Sequence, residues 1–281
     1  MHPPRSSQQS GQAAVESALV LPLMVFLGLG IIQLTMMQHA KLMTEYAAFN
    51  AARTGIVWNG NNERMRDAAL VALLPTLGRT DDPASLARTW KRARLHDEAL
   101  QALAWPTKDS VVPASVNGAP LFGQVRVDTV NPSWYSPVRS VWKLRSAQNW
   151  EELDFDGPEA YPQVPALESR LAKFFDLPLP DDDEELYRRA TVLSVRVRYW
   201  YEMRVPFANG LVFTAWWAAN AVRGLKHQRG YATLYRQEMS VLWGLARGKR
   251  YFIPLTATYS LRMQSNFYFK WLMHLNPDWG M

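Results

Sequence analysis

The chain of 281 residues contains no cysteine. This absence excludes disulfide bonds, thiolate catalysis and every metal site built on cysteine. Familiar catalytic motifs are missing as well, since the sequence has no His-Glu-x-x-His, no Gly-x-Ser-x-Gly and no glycine-rich dinucleotide fingerprint. Its five histidines include no pair at the four-residue helical spacing of a metal site. We therefore expect no enzymatic activity, no metal and no cofactor.

One segment superficially resembles a phosphate-binding loop and is rejected. In Gly244–Arg250 only three residues separate the two glycines, whereas the P-loop has four. Arg250 also stands where a serine or threonine would bind magnesium. Nucleotide binding is not predicted.

Charge is missing from one long stretch near the start of the chain. From Ala18 to Met37 no residue is charged, and only Gln33 and Thr35 are notably polar. About 20 apolar residues match the thickness of a bilayer core at 1.5 Å per residue. The following Gln38-His39-Ala40 lacks the small-x-small site of a cleaved signal peptide. We predict a membrane anchor whose helix continues to about Val57.

Beyond Met37 the helix becomes amphipathic and carries two ridges of small residues. At four-residue spacing, one ridge is Ala47, Ala51 and Gly55, and the other is Thr44, Ala48 and Ala52. Small side chains let another helix or a sheet approach closely. The ridges can pack on the protein's own globular domain or on neighbouring subunits, and the sequence leaves both interpretations open.

A single carboxylate, Glu16, lies at the mouth of the apolar helix, five residues after Gly11. A carboxylate at the edge of the hydrocarbon is costly unless it is neutralised or paired. Glu16 can lie at headgroup level, in contact with water. Alternatively, cleavage after Gly11 would create a protonated amine at Gln12, one helical turn away, that pairs with the carboxylate.

Three short segments carry a family resemblance: Gly11–Glu16, Leu19–Pro22 and Asn50–Gly55. Together they are similar to the TadE-like pseudopilins, minor subunits of the tight-adherence (Tad) branch of type IV pilus machinery. The resemblance spans roughly residues 8–57. It implies that an inner-membrane prepilin peptidase cuts after Gly11, that Gln12 becomes the N-terminus and that Glu16 is the assembly glutamate.

The resemblance also implies a function and a division of the chain. A minor pilin that acts in assembly, priming or at the tip of a Tad-type pilus or secretion system is expected, with other pilin-like subunits as partners. Residues 1–11 would be the leader, 12–57 the transmembrane and pilin-core helix, and 58–281 a periplasmic head. The protein would cross the inner membrane once and, in a filament, lie outside the cell.

The size of the head is unusual for this family. More than 200 residues follow the anchor, which favours a special tip, priming or adaptor role over that of a repeating fibre subunit. The alternative is a single-span inner-membrane protein with a periplasmic interaction domain that never enters a filament.

The head is predicted to be α+β, with an antiparallel sheet and covering helices. Apolar–polar alternation predicts strands at 124–130, 191–205 and 251–264, the last two as an antiparallel pair. The second strand is predicted to have a buried apolar face and a polar outer face, as in a sheet half covered by a helix. The apolar face carries Val195, Val197, Tyr199, Tyr201 and Met203, and the polar face carries Arg196, Arg198, Trp200, Glu202 and Arg204. Helices are predicted at 63–77, broken or kinked at Pro75, and at 83–103. Residues 131–180 are interpreted as an irregular insertion with short helices near 165–175. The acidic residues 181–185 are interpreted as the start of a further helix, because acids at a helix N-terminus offset the macrodipole. A calcium site is the less favoured alternative, because the run lacks the ligand spacing and the glycine of an EF-hand loop.

Two helical features leave their function open. Helix 83–103 carries a basic cluster of Arg88, Lys91, Arg92 and Arg94. This cluster can be a solvated face or can contact lipid headgroups; nucleic acid is not expected, because no nucleic-acid motif accompanies it. A helix at 207–225, with paired tryptophans, can cover the sheet, lie on the membrane or bind a partner.

Overall fold

The computed structural model describes the backbone of residues 6–103, 115–116, 119–120, 123–132, 152–153, 191–224, 232–268 and 271. Most of the predicted irregular insertion at 131–180 therefore lies outside the described residues. The short helices near 165–175 and the acidic helix start at 181–185 lie outside them as well.

One helix dominates the molecule. Helix α1 runs without interruption from Ser6 to Val57, which confirms the predicted extension to Val57. No described side chain from Ala14 to Ile32 is buried, whereas from Gln33 onward one face of α1 is covered by the head. The helix therefore has an uncovered first half and a second half that belongs to the globular body.

Within the described residues the strands form one central sheet and two short ladders. In chain order they are β1 (Ser115–Val116), β2 (Ala119–Pro120), β3 (Val125–Asn131), β4 (Glu152–Leu153), β5 (Val192–Glu202), β6 (Phe252–Arg262) and β7 (Phe267–Tyr268). The central sheet is antiparallel with the order β3-β5-β6, and β1-β2 and β4-β7 are the ladders. Val192 pairs with Arg262 and Glu202 with Phe252, so the predicted antiparallel partnership of the two longest strands is confirmed.

Two helices cover one face of the sheet. Helix α2 (Asn62–Leu77) lies against α1, and both pack on the face that carries the alternate apolar residues of β5. These residues, which pack in the main core, are Val195, Val197, Tyr199 and Tyr201. Helix α3 (Pro83–Leu103) packs on α2. Helix α2 continues through Pro75 to Leu77 and is not broken at the proline. The structure confirms the predicted α+β fold.

The opposite face, which the alternation of β5 predicted to be polar and solvated, is covered by the described helices only around Trp200. Toward the other end of β5 the side-chain contacts of Ser194 with Ser260 and of Arg196 with Thr258 are exposed. Helix α4 (Ala208–Gly224) was predicted, but α5 (Ala232–Arg247) was not. Trp200 lies on the expected polar face and is nevertheless only 2% exposed, in a second core with residues of α3, α5 and β6. Its indole Nε1–H donates to Glu238 Oε1 at 2.7 Å, and Arg198 pairs with the other carboxylate oxygen. A buried carboxylate thus joins α5 to the sheet.

Candidate functional site

The candidate site is the anchor helix together with the surface of the head on which it is seated. Among the residues that the structure describes, α1 is the one helix long and apolar enough to cross a membrane, and none of its most apolar window is buried. Large side chains such as Leu19 and Leu23 are about 70% exposed. Exposure of this much apolar surface indicates contact with lipid or with other apolar helices.

The residues predicted for processing and assembly all lie on this helix. The backbone of Gly11 and Gln12 is helical and continuous with the rest of α1, and cleavage after Gly11 stays a prediction. Glu16 is exposed at the start of the described apolar surface. Along the helix axis it lies about 26 Å from Gln33, where the head is hydrogen-bonded to α1, at 1.5 Å per residue. The role of Glu16 in assembly likewise stays a prediction.

The upper half of α1 is locked into the head through the small-residue ridges. Ala47 and Ala51 are fully buried, as are Thr44, Ala48 and Ala52 of the other ridge. At Gly55 a Cβ atom would lie 2.5 Å from Leu193 Cδ2 and 2.5 Å from Met65 Sδ. The ridges therefore pack on the protein's own head, one of the two interpretations left open, and this surface is not available to a neighbouring subunit.

The turn that follows α1 is fixed just as closely. Gly60 has a φ of 73°, and a Cβ there would overlap the ring of Phe267. The Asn59 side-chain amide donates to the Asn266 carbonyl at 2.7 Å, and Ser265 Oγ donates to the Ile56 carbonyl at 2.9 Å. Close packing on several sides makes the second half of α1 and the sheet one rigid unit.

A buried amide marks the lower limit of this seat. Gln33 has no exposed surface, and its Oε1 accepts the backbone N–H of Val205 at 3.0 Å. Seven residues earlier in α1, the ring of Phe26 meets Phe207 edge to face, with ring centroids 6.2 Å apart. In the sequence, Gln33 was recognised only as a polar residue within the apolar stretch. Its position among apolar residues could have predicted a contact with the head, because a buried amide needs a hydrogen-bond partner.

The exposed apolar half, Glu16 at its start and the seat from Gln33 to Gly55 all lie within one segment of the chain. The model of the TadE-like protein family matches residues 11–53. The matched segment lies wholly within α1, and it confirms the resemblance that the sequence motifs indicated. No curated protein and no solved structure matches the chain. The comparisons thus bear on the anchor helix and leave the head unmatched.

The head carries one further feature, a basic cleft of about 440 Å³. Five arginines line it, from α3 and from the loops after α2, after β5 and before β6: Arg79, Arg88, Arg92, Arg204 and Arg250. Of these five arginines, only Arg88 and Arg92 belong to the basic cluster predicted from the sequence, together with Lys91 and Arg94. The other three cleft arginines were not predicted, because residues from distant parts of the chain meet only in the folded head.

Internal contacts hold one side of the basic cleft. Arg250 donates to both carboxylate oxygens of Glu202, at 2.7 and 3.0 Å, and contacts His96 Nε2 at 2.6 Å. The bond to Glu202 raises the pKa of Arg250 above its ordinary value. Arg94 of the predicted cluster lies elsewhere, 3.3 Å from Asp67. Within the described residues no group of three or more acidic or histidine side chains is placed to hold a metal ion.

Proposed function

We propose that the protein is a membrane-anchored minor pilin of a Tad-type pilus or secretion system, which acts in assembly, in priming or at the tip. One observation carries the proposal: the TadE-like match falls on a helix whose first half is apolar and uncovered while its second half is built into a head. A membrane protein associated with the Tad pilus needs both halves, one for the membrane and one to hold the head in place.

The exposed stretch from Ala14 to Ile32 is the part of α1 that serves both environments. In the inner membrane it faces lipid, with the head in the periplasm. On entry into a filament, apolar helices of other subunits replace the lipid at similar cost, because both surroundings are apolar. The ridges above it are already occupied by the head, so contacts between subunits use this lower stretch.

Glu16 sets the register of that packing in the proposal. After cleavage by a prepilin peptidase, the amine of Gln12, its own or a neighbour's, pairs with the Glu16 carboxylate. In apolar surroundings an unpaired carboxylate is strongly disfavoured, so one vertical offset between helices is preferred.

The experiment that tests processing is mass spectrometry of the mature N-terminus in cells with an active prepilin peptidase. We expect a chain that begins at Gln12, and we expect Gly11→Leu to retain Met1. Gly28→Leu is the matched control on the same helix, since no described atom lies within 4 Å of a Cβ at Gly28. An intact Met1 in the wild type would favour the single-span inner-membrane protein that never enters a filament.

Assembly is tested separately by substitution of the two carboxylates of α1. Glu16→Ala is expected to reduce co-purification with other pilus subunits. Glu45→Ala is the matched control, because Glu45 is exposed on the same helix and pairs with Lys41 in its own chain at 3.5 Å. Equal recovery of partner subunits with the two variants would disprove the assembly role of Glu16.

A further inference from the structure

We propose that the base of the head docks on an anionic phospholipid bilayer, with the outer face of α4 in the hydrocarbon and the basic cleft around a lipid headgroup phosphate. The inference depends on α1 crossing a bilayer and is independent of entry into a filament. The proposal assigns a binding surface to the head, a part of the chain that the family match does not cover.

The depth of the start of α4 follows from its contact with α1. The charge-free stretch is barely longer than a bilayer core requires, so any span of about 20 residues placed in it contains Phe26. Phe207, the residue just before α4, contacts the ring of Phe26. By helix rise, Phe26 lies about 10 Å below Gln33. The loop before α4 therefore reaches the level of the lipid acyl chains.

The outer face of α4 has the composition of a lipid-facing surface. Phe207 and Leu211 are 69% and 65% exposed, and the exposed positions that follow on this face are Thr214, Ala215 and Ala218. No residue from Val205 to Val222 is charged. A helix on a water-exposed surface normally carries charge on its outer face, whereas an uncharged outer face beside a membrane anchor indicates lipid.

Several polar groups at this level are bonded within the protein, which lowers the cost of placing them in an apolar environment. The buried amide nitrogen of Gln33 is an exception, since it makes no hydrogen bond within the described residues. The Thr214 hydroxyl donates to the Gly210 carbonyl at 2.8 Å. In the preceding loop the N–H of Val205 is bonded to Gln33, and that of Asn209 to the Val205 carbonyl at 3.0 Å. Phe207 has a φ of 65°, a strained conformation for a residue other than glycine. In this conformation its ring contacts Phe26 of α1 and is also exposed.

The basic cleft lies at the same end of the head. Arg204 lines it and directly precedes Val205, the residue bonded to Gln33. Arg204 donates to the Leu77 carbonyl and Arg88 to Ser85 Oγ, both neutral oxygens, so these contacts leave the positive charges uncancelled. Arginine side chains are long enough to reach the headgroup level from a backbone at the edge of the hydrocarbon, so this cluster complements the phosphates of an anionic leaflet.

The depth of α4 is tested with single labelled cysteines, which the cysteine-free chain makes straightforward. Full-length protein carrying Leu211→Cys with an NBD label is placed in nanodiscs of phosphatidylcholine and phosphatidylglycerol, one copy per disc. Doxyl-labelled lipids are then used as quenchers. We expect quenching equal within twofold to that of Leu27→Cys in the anchor and absent at Val57→Cys at the far end of α1. A label at Leu211→Cys that behaves like the one at Val57→Cys would overturn the proposal.

The basic cleft is tested by titration of phosphatidylglycerol into detergent-solubilised full-length protein, with the bound fraction measured by native mass spectrometry. At a factor of about five for each arginine near an anionic surface, Arg88→Gln with Arg92→Gln should weaken binding roughly 30-fold. Lys91→Gln with Arg94→Gln makes the same change of charge on the same helix outside the cleft, and should weaken it less than threefold. Equal effects of the two pairs would overturn the assignment. Binding of inorganic phosphate without binding of the lipid would overturn it too.

Discussion

Substitution of Gly55 by alanine should destabilise the protein at the point where α1 meets the head. The added Cβ would lie 2.5 Å from both Leu193 Cδ2 and Met65 Sδ, whereas non-bonded carbons pack best at about 3.5–4.0 Å. Leu193 and Met65 are fully buried, so neither can move aside into solvent. Overpacking of this kind costs about 1–3 kcal/mol. The alanine itself favours the helix by about 1 kcal/mol, which masks part of that cost.

A matched glycine separates the two contributions. Gly244 lies near the end of α5, as Gly55 lies near the end of α1, and no described atom lies within 4 Å of a Cβ at Gly244. Gly244→Ala therefore reports helix propensity alone. The difference in melting temperature between the two variants isolates the overpacking, and should be about 2–12 °C at 2–4 °C per kcal/mol.

The assay is thermal unfolding of the full-length protein in detergent, followed by tryptophan fluorescence. Gly55→Ala should melt below Gly244→Ala, and Leu193→Val should recover part of the loss when it is combined with Gly55→Ala, because it removes a methylene beside the new Cβ. If Gly55→Ala raises the melting temperature as far as Gly244→Ala does, the ridge is not closely packed on the head and the reasoning is refuted.

Three further substitutions test the packing around this unit. Burial raises the pKa of Tyr199 to about 12, so the folded protein binds more protons than the unfolded chain between pH 10 and 12. The free energy of unfolding should therefore fall by up to about 3 kcal/mol across that range. In denaturant titrations Tyr199→Phe should reduce this fall, and an unchanged pH slope would contradict the prediction. Glu238→Ala leaves the partly buried Arg198 without its carboxylate partner and should cost about 3 kcal/mol in denaturant unfolding. Glu238→Gln should cost less, and equal small losses would show that the pair does not hold α5. Gln33→Leu removes the acceptor of the Val205 N–H and should lower the free energy of unfolding by about 1–3 kcal/mol. An unshifted melting temperature in thermal unfolding would argue against this contact between α1 and the head.

The periodicity of apolar residues alone was enough to predict the longest strands of the head. The alternation around Val195 and Tyr199 predicted both the strand and its buried face, and the antiparallel pairing with β6 followed. Such patterns can be recognised because alternate residues of each strand pack in the main core while most residues between them are more polar. Helix α5 was missed although Met239, Leu242 and Ala246 repeat at helical spacing and pack against the cores.

The surroundings of Trp200 and the full basic cleft could not be predicted from the sequence. Trp200 was placed on a polar face because its neighbours in sequence are charged, yet α5 covers it and Glu238 accepts its N–H. Only two of the arginines that line the basic cleft were predicted as a cluster, for a similar reason. The burial of Trp200 and the cleft both depend on contacts between residues far apart in the chain, which the local sequence pattern does not encode.

The sequence is sufficient to identify an uncharged helix long enough for a bilayer, with a glycine and a glutamate placed as in the TadE-like family, because hydrophobic length and local spacing are properties of a contiguous segment. Only the folded chain shows where that helix ceases to be an anchor and becomes part of the head. The limit lies at Gln33, because there a buried amide meets the N–H of Val205, a residue far along the chain. The same long-range packing buries the ridges of Ala51 and Gly55 and leaves Phe207 and Leu211 exposed on the outside of the head.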